Sequence, residues 1–238
     1  MRYALNSDFC METTSEDNIY TGFRGRITQN QKRALIKYKD VFSIDDWSMI
    51  ESIATSGSHL SIGLEIGFGM GVELVNWAES STQTLIVGIE LYKPGIGSLF
   101  SSLANKNIYN VRVFEGPAQL LVESIPDGSV QEVRIFFPDP WPKKKHAKRR
   151  LIQTPFIAQL ARILATAGEL RIATDWEPYA KWIEECVGQN QGFRLASKPS
   201  QFNYQQRSCP TKFEKRGIEL AHEIFDFLYL RNGETRAR

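Results

Sequence analysis

The chain has 238 residues, of which 42% are hydrophobic and 24% charged, enough to bury one sizeable core and unlike disordered or fibrous classes. No stretch approaches the ~20 apolar residues of a membrane span, and the acidic opening MRYALNSDFCMETTSED carries neither a secretory nor a mitochondrial leader pattern, so a cytoplasmic location without membrane association is expected. Cys10, Cys186 and Cys209 are odd in number and far apart, and His59, His146 and His222 are equally scattered, so the residues predict neither a disulfide framework nor a metal site.

The net charge of +2 hides a division. Residues 143–150 (KKKHAKRR) hold six cations and no acid; without them 23 basic residues face 27 acidic ones, a net of −4. A second acid-free stretch, 21–39, carries Arg24, Arg26, Lys32, Arg33, Lys37 and Lys39. Concentrated positive charge suits docking of a polyanion, though such runs also occur as solvated faces.

In chain order, residues 1–22 lack periodicity and read as a mobile tail, followed by a single domain over 23–238. Short helices are predicted at 29–38 and 45–54. Apolar runs suited to buried parallel strands follow at 61–66, 84–90, 110–114, 130–137 and 169–174, with helical patterns between them. One of these, 155–165, has Thr154 as its predicted N-cap and Pro155 at its first position; another, 178–187, follows Pro178. Two last strands, 192–198 and 221–230, are joined by a polar loop and predicted to be antiparallel. The alternation predicts a doubly wound, mostly parallel, seven-stranded Rossmann-like α/β sheet with an antiparallel last strand. Its ligand crevice would lie beyond the carboxyl ends of the first strands.

The motif Glu65-Ile66-Gly67-Phe68-Gly69-Met70-Gly71 stands where the first of these strands meets its helix. Alternate glycines let the backbone turn sharply and approach a ligand closely. Glu90 ends the next strand, where a carboxylate suits a ribose diol. A pyrophosphate would be repelled by Glu65, whereas S-adenosylmethionine, with its sulfonium and amino group, would be attracted. The bland alternatives are an ordinary tight turn and a solvated strand end.

After the strand VRIFF comes Pro138-Asp139-Pro140-Trp141-Pro142, then the basic run. Three prolines stiffen this loop and hold Asp139 in the predicted crevice, where burial beside a cation would keep it ionised. Asp139 could instead bond loop amides, and Trp141 is either a core plug or a platform on which a base stacks. The cations begin four residues after Asp139, so a polyanionic substrate would pass beside the reacting methyl group.

Together GFGMG, GIE, FFPDPWPKKKHAKRR, ATDWEPYA and TKFEKRG resemble the bacterial tRNA (guanine-N(7)-)-methyltransferase family, over roughly residues 23–230. The resemblance implies a class I methyltransferase fold and methyl transfer from S-adenosylmethionine to N(7) of guanine 46 in the tRNA variable loop, with no metal. It implies that Glu65, Gly67, Gly69, Gly71, Glu90, Pro117 and Asp139 meet the cofactor and that Asp139 is also catalytic. Lys143, Asp175, Thr211, Lys212, Phe213 and Glu214 would meet the target nucleotide. Phe23-Arg24-Gly25-Arg26-Ile27-Thr28 resembles the family's basic N-terminal arm. One departure is Glu115-Gly116-Pro117-Ala118, in which Pro117 replaces a polar residue near the adenine, leaving a carbonyl but no N–H.

N(7) of guanine carries a lone pair and no proton, so its methylation needs no general base. Asp139 would either stabilise charge developing on the ring or hold the guanine by its N–H edge. Asp175 would accept a hydrogen bond from the guanine, or merely cap a helix. Competing readings are a methyltransferase for another RNA atom or a small molecule, a non-catalytic tRNA-binding protein on this fold, and a nicotinamide dehydrogenase. No obligate protein partner is readable.

Overall fold

A computed structural model describes residues 25–56, 61–197 and 223–233. The tail 1–24, with Phe23 and Arg24 of the basic arm, lies outside the described residues, as do Thr211, Lys212, Phe213 and Glu214.

Thr28 opens the first helix, α1 (Gln29–Phe42), with a capping box: Thr28 accepts from the Gln31 amide at 3.3 Å and donates its own N–H to Gln31 Oε1 at 2.8 Å. The helix runs four residues past its predicted end because Phe42 is fully buried, with its ring 5.4 Å from that of Phe100. A two-residue strand, β1 (Ser43–Ile44), and α2 (Ser48–Ser56) follow. Then come β2 (Ser61–Ile66), α3 (Val72–Ser80), β3 (Thr84–Glu90), α4 (Lys93–Lys106), β4 (Val111–Glu115), α5 (Ala118–Ser124) and β5 (Val130–Phe136). A 3-10 helix over Lys144–Arg149 precedes α6 (Thr154–Ile163), β6 (Leu164–Thr174), α7 (Glu177–Gly188), β7 (Phe193–Ser197) and β8 (Phe225–Arg231).

The strands lie in the order β1-β4-β3-β2-β5-β6-β8-β7. All pairs from β1 to β6 are parallel, and β8 runs antiparallel to both β6 and β7. The seven predicted strands are therefore joined by β1, a short edge strand that the sequence analysis does not anticipate. Strand alternation feeds two hydrophobic layers. Leu85, Val87 and Ile89 of β3 pack toward α2, α5, α6 and α7, whereas Ile86 packs toward α1, α3 and α4.

Two local expectations are corrected. Strand β6 begins at Leu164, where a parallel ladder against Val130 starts immediately after α6; the ladder shifts register before Glu132, and Ala167 turns through φ 63°. This irregular stretch has no clean period, so it predicts poorly. Thr154 is not the cap of α6. The cap is Gln153, and the Thr154 hydroxyl donates to Gln189 Oε1 at 3.0 Å, tying α6 to the end of α7.

Candidate active site

Because β2 through β6 are parallel, their carboxyl ends share one edge of the sheet. The chain order reverses between β2 and β5, which makes a crevice there. Gly67, Gly69 and Gly71, directly after β2, adopt φ of 77°, 56° and 77°, a region costly for other residues. The loop is closed by Gly67 N–H to the Ile89 carbonyl at 2.8 Å and Gly71 N–H to the Phe68 carbonyl at 2.9 Å. Side chains added at Gly67 or Gly69 would meet nothing within 4 Å, so this cradle is open on the ligand side. Gly71 instead packs against Leu99 of α4 and caps α3.

Glu90 ends β3 and is fixed by three backbone donors: Gly69 N–H at 2.7 Å on one oxygen, and Leu91 and Tyr92 N–H at 2.7 and 3.0 Å on the other. Its carboxylate thus locks the glycine loop while keeping lone pairs for a diol.

Glu65 lies deeper, 3% exposed. Its carboxyl is pushed up to about 8, chiefly by burial and against the pull of Arg134. One of its oxygens, Oε2, is buried without a hydrogen-bond partner among the described residues. An orphaned acceptor beneath an open glycine cradle fits a cationic or amino-bearing ligand. Arg134, which the sequence reading does not single out, is the charge next to Glu65. It is the β5 register partner of Glu65, lies 3.7 Å from the Trp77 ring centroid, and pairs with Glu132 at 2.7 Å and Glu73 at 3.4 Å. Its strand, VQEVRIF, also carries Gln131 and Glu132, so nothing local in the sequence singles it out.

Pro117 is the N-cap of α5 at the end of β4. Its carbonyl accepts from the Leu120 N–H at 3.1 Å and keeps a second lone pair. Beside it Glu115 pairs with Lys93 at 2.9 Å.

Asp139 stands beyond β5 in a loop whose flanking residues Phe137 and Trp141 have φ of 51° and 43°, conformations that persist only when their surroundings impose them. The Phe137 N–H donates to the Ala173 carbonyl at 2.8 Å, binding the loop to β6. Asp139 is exposed rather than buried beside a cation, and partial desolvation raises its carboxyl above the usual range. Trp141 is half-buried, with Arg149 over its ring at 5.1 Å and His146 edge-on at 5.7 Å, so it belongs to the basic segment rather than the core.

Lys143, Lys144, Lys145, Lys148 and Arg149 are exposed, whereas Arg150 is half-buried. Asp175 is half-buried at the end of β6, directly before Trp176, the N-cap residue of α7. Of the predicted site residues, Glu65, the three glycines, Glu90, Pro117, Asp139, Lys143 and Asp175 therefore gather at this one end of the sheet. Among the described residues no cluster of three or more His, Cys, Asp or Glu forms a metal site, and no helix is long and apolar enough to cross a membrane.

Sheet order, glycine cradle and the two acids define a class I methyltransferase that uses S-adenosylmethionine. The fold resembles those of the 16S rRNA methyltransferase KamB (TM-score 0.57, 13% identity, covering 80% of this chain and 95% of that one) and the antibiotic-resistance methyltransferase Kmr (TM-score 0.53, 16% identity, 79% and 93%). A family profile described as "Putative methyltransferase" matches residues 60–227. The tRNA (guanine-N(7)-)-methyltransferase of Cronobacter sakazakii is 37% identical over 209 residues, 87% of each chain. Those of Marinobacter nauticus and Escherichia coli are each 37% identical over 211 residues, 87% of this chain and 89% and 88% of theirs. The chain belongs to the tRNA (guanine-N(7)-)-methyltransferase family.

Proposed function

We propose that this protein transfers a methyl group from S-adenosylmethionine to N(7) of guanine 46 in the variable loop of tRNA, and that it works in the cytoplasm. The observation that carries the reading is the juxtaposition at one sheet edge of an open glycine cradle, an orphaned buried carboxyl and Asp139, with five exposed cations starting four residues further on.

S-adenosylmethionine supplies an electrophilic methyl group on a sulfonium. Glu65 faces the amino-acid portion, where its orphaned oxygen gains a donor. Glu90, immobilised by three N–H groups, accepts from the ribose diol. Gly67 and Gly69 leave room for the backbone to approach. The lone pair of N(7) needs no base, so the residues around guanine hold that atom in line, at ~3 Å, and exclude misaligned poses. Methylation leaves the base cationic, and the Asp139 carboxylate stabilises that developing charge in a partly desolvated site. Asp175 and Glu214 accept from guanine N–H groups, with Thr211 and Phe213 on the same nucleotide, and Lys143 and Lys212 neutralise flanking phosphates. The reacting guanine is drawn out of its tertiary pairing at a cost of roughly a few kcal/mol; protection of its Watson–Crick edge in the complex would count against this.

The decisive test uses an unmodified tRNA transcript, a labelled methyl donor, borohydride reduction and aniline cleavage, which cuts only at 7-methylguanosine. One cut at the variable-loop guanine supports the reading. Incorporation without a cut indicates another atom, and tight tRNA binding without incorporation indicates a non-catalytic binder.

A further inference from the structure

We infer that Arg150 is a positioning residue that clasps the Asp139 loop to the start of α7, and not a phosphate ligand, although it closes the basic run. The inference rests on the role assigned to Asp139 above. Five cations of that run are exposed; the half-buried Arg150 turns inward. Its guanidinium lies 5.6, 5.3 and 5.0 Å from the ring centroids of Trp176, Tyr179 and Trp182. Trp176, the N-cap residue of α7, and Tyr179 and Trp182 within it are spaced by three and so lie on one side of the helix, and each ring is within cation–π range. The Arg150 Nε–H donates to the Pro140 carbonyl at 2.9 Å, and Pro140 directly follows Asp139.

The backbone after Arg150 is anchored to the same helix. The Trp182 Nε1–H donates to the Ile152 carbonyl at 2.7 Å and the Ile152 N–H to the Tyr179 hydroxyl at 3.4 Å, while Gln153 Nε2 donates back to the Ala147 carbonyl of the basic segment at 2.8 Å. Asp175 immediately precedes Trp176. One side chain thus bridges the two segments whose carboxylates meet the guanine. It also supports a loop in which Phe137 and Trp141 hold left-handed backbone, a conformation that needs outside constraint. Lysine cannot replace this arrangement, because it lacks the planar fork that donates from Nε while presenting a face to aromatic rings.

The test compares full-length wild type, Arg150→Lys, Arg150→Met and Lys144→Ala by three readouts: amide hydrogen exchange without ligand, kcat and KM in the tRNA methylation assay, and the salt dependence of tRNA affinity. The clasp predicts that Arg150→Lys speeds exchange over residues 137–149 roughly tenfold while amides of β2 and β3 are unchanged. It predicts a kcat lower by about 10- to 100-fold, as misplacement by ~1 Å would produce, with KM for tRNA and the salt slope unaltered. Lys144→Ala should instead flatten the salt slope by about one phosphate contact. If Arg150→Met does not fold, Arg150→Lys, which keeps the charge, carries the test. Unchanged exchange in Arg150→Lys overturns the clasp, as does a flattened salt slope in Arg150→Met with kcat preserved. If wild type methylates nothing while Arg150→Lys still loosens the loop, the functional reading fails and the clasp stands.

Discussion

Two carboxyls at the site are raised by burial, yet they would behave differently on titration and substitution. Glu65 holds its proton to about pH 8 when folded against an ordinary 4.5, so between those values the folded state binds more protons than the unfolded one. Stability is expected to fall as pH rises through this window, by at most ~1.4 kcal/mol per unit. Glu65→Gln should remove that slope, raise the urea midpoint at pH 8 relative to wild type, and weaken S-adenosylhomocysteine binding by calorimetry; an unchanged pH profile would sink the assignment. Asp139, which is exposed, should matter to chemistry more than to stability. Asp139→Asn keeps an acceptor and removes the charge, so single-turnover methyl transfer should fall about 10²-fold with tRNA affinity nearly constant. Full activity in Asp139→Asn would leave only a hydrogen-bonding role for this residue. The acid residues were legible in the sequence because each adjoins a strong local signal, Glu65 just before a glycine loop and Asp139 within a proline-rich turn. Arg134 was not legible, because its importance comes from lying opposite Glu65 across two strands distant in sequence.

The glycine loop owes its shape to neighbouring elements as much as to its own residues. A Cβ on Gly95, near the start of α4, would overlap the Gly69 carbonyl oxygen, while one on Gly63 in β2 would overlap the Trp77 ring. Gly95→Ala should therefore push the cradle out of place and lower cofactor affinity, as read by calorimetry. Gly63→Ala should instead destabilise the β2–α3 packing by roughly 1–3 kcal/mol, as read by urea denaturation, with bound-state chemistry less affected. Equal effects of both substitutions on cofactor affinity would argue that α4 does not shape the loop. The helices and most strands were readable because their apolar periods are local. The start of β6 was not, since Leu164 becomes strand only by pairing with Val130. The Thr154 cap likewise gave way to a tertiary bond with Gln189.

Across the whole molecule the charge is divided. The face carrying Lys143–Arg149 offers exposed cations, whereas Arg134, Arg171, Glu132 and Glu169 pair with one another along the sheet. The first group would contact a polyanion, and the second holds neighbouring strands together with partners already in place. Replacing Lys144 and Lys145 together by Ala should reduce the slope of log affinity against log salt by about 1.5 to 2 for tRNA, leaving kcat at saturation unchanged. A slope equal to wild type would remove these lysines from the interface.

By itself, the sequence determined the alternating α/β architecture, the cofactor loop with its two acids, and the proline-rich loop beside a concentrated positive charge. These are written in short spacings and periods that neighbouring residues impose on one another. Only the tertiary structure decided that a buried oxygen of Glu65 lacks a partner while Arg134 stands opposite on the next strand, and that Arg150 turns away from its basic neighbours into three aromatic rings. Those outcomes depend on which strands and helices lie side by side, and a buried charge takes its meaning from partners remote along the chain.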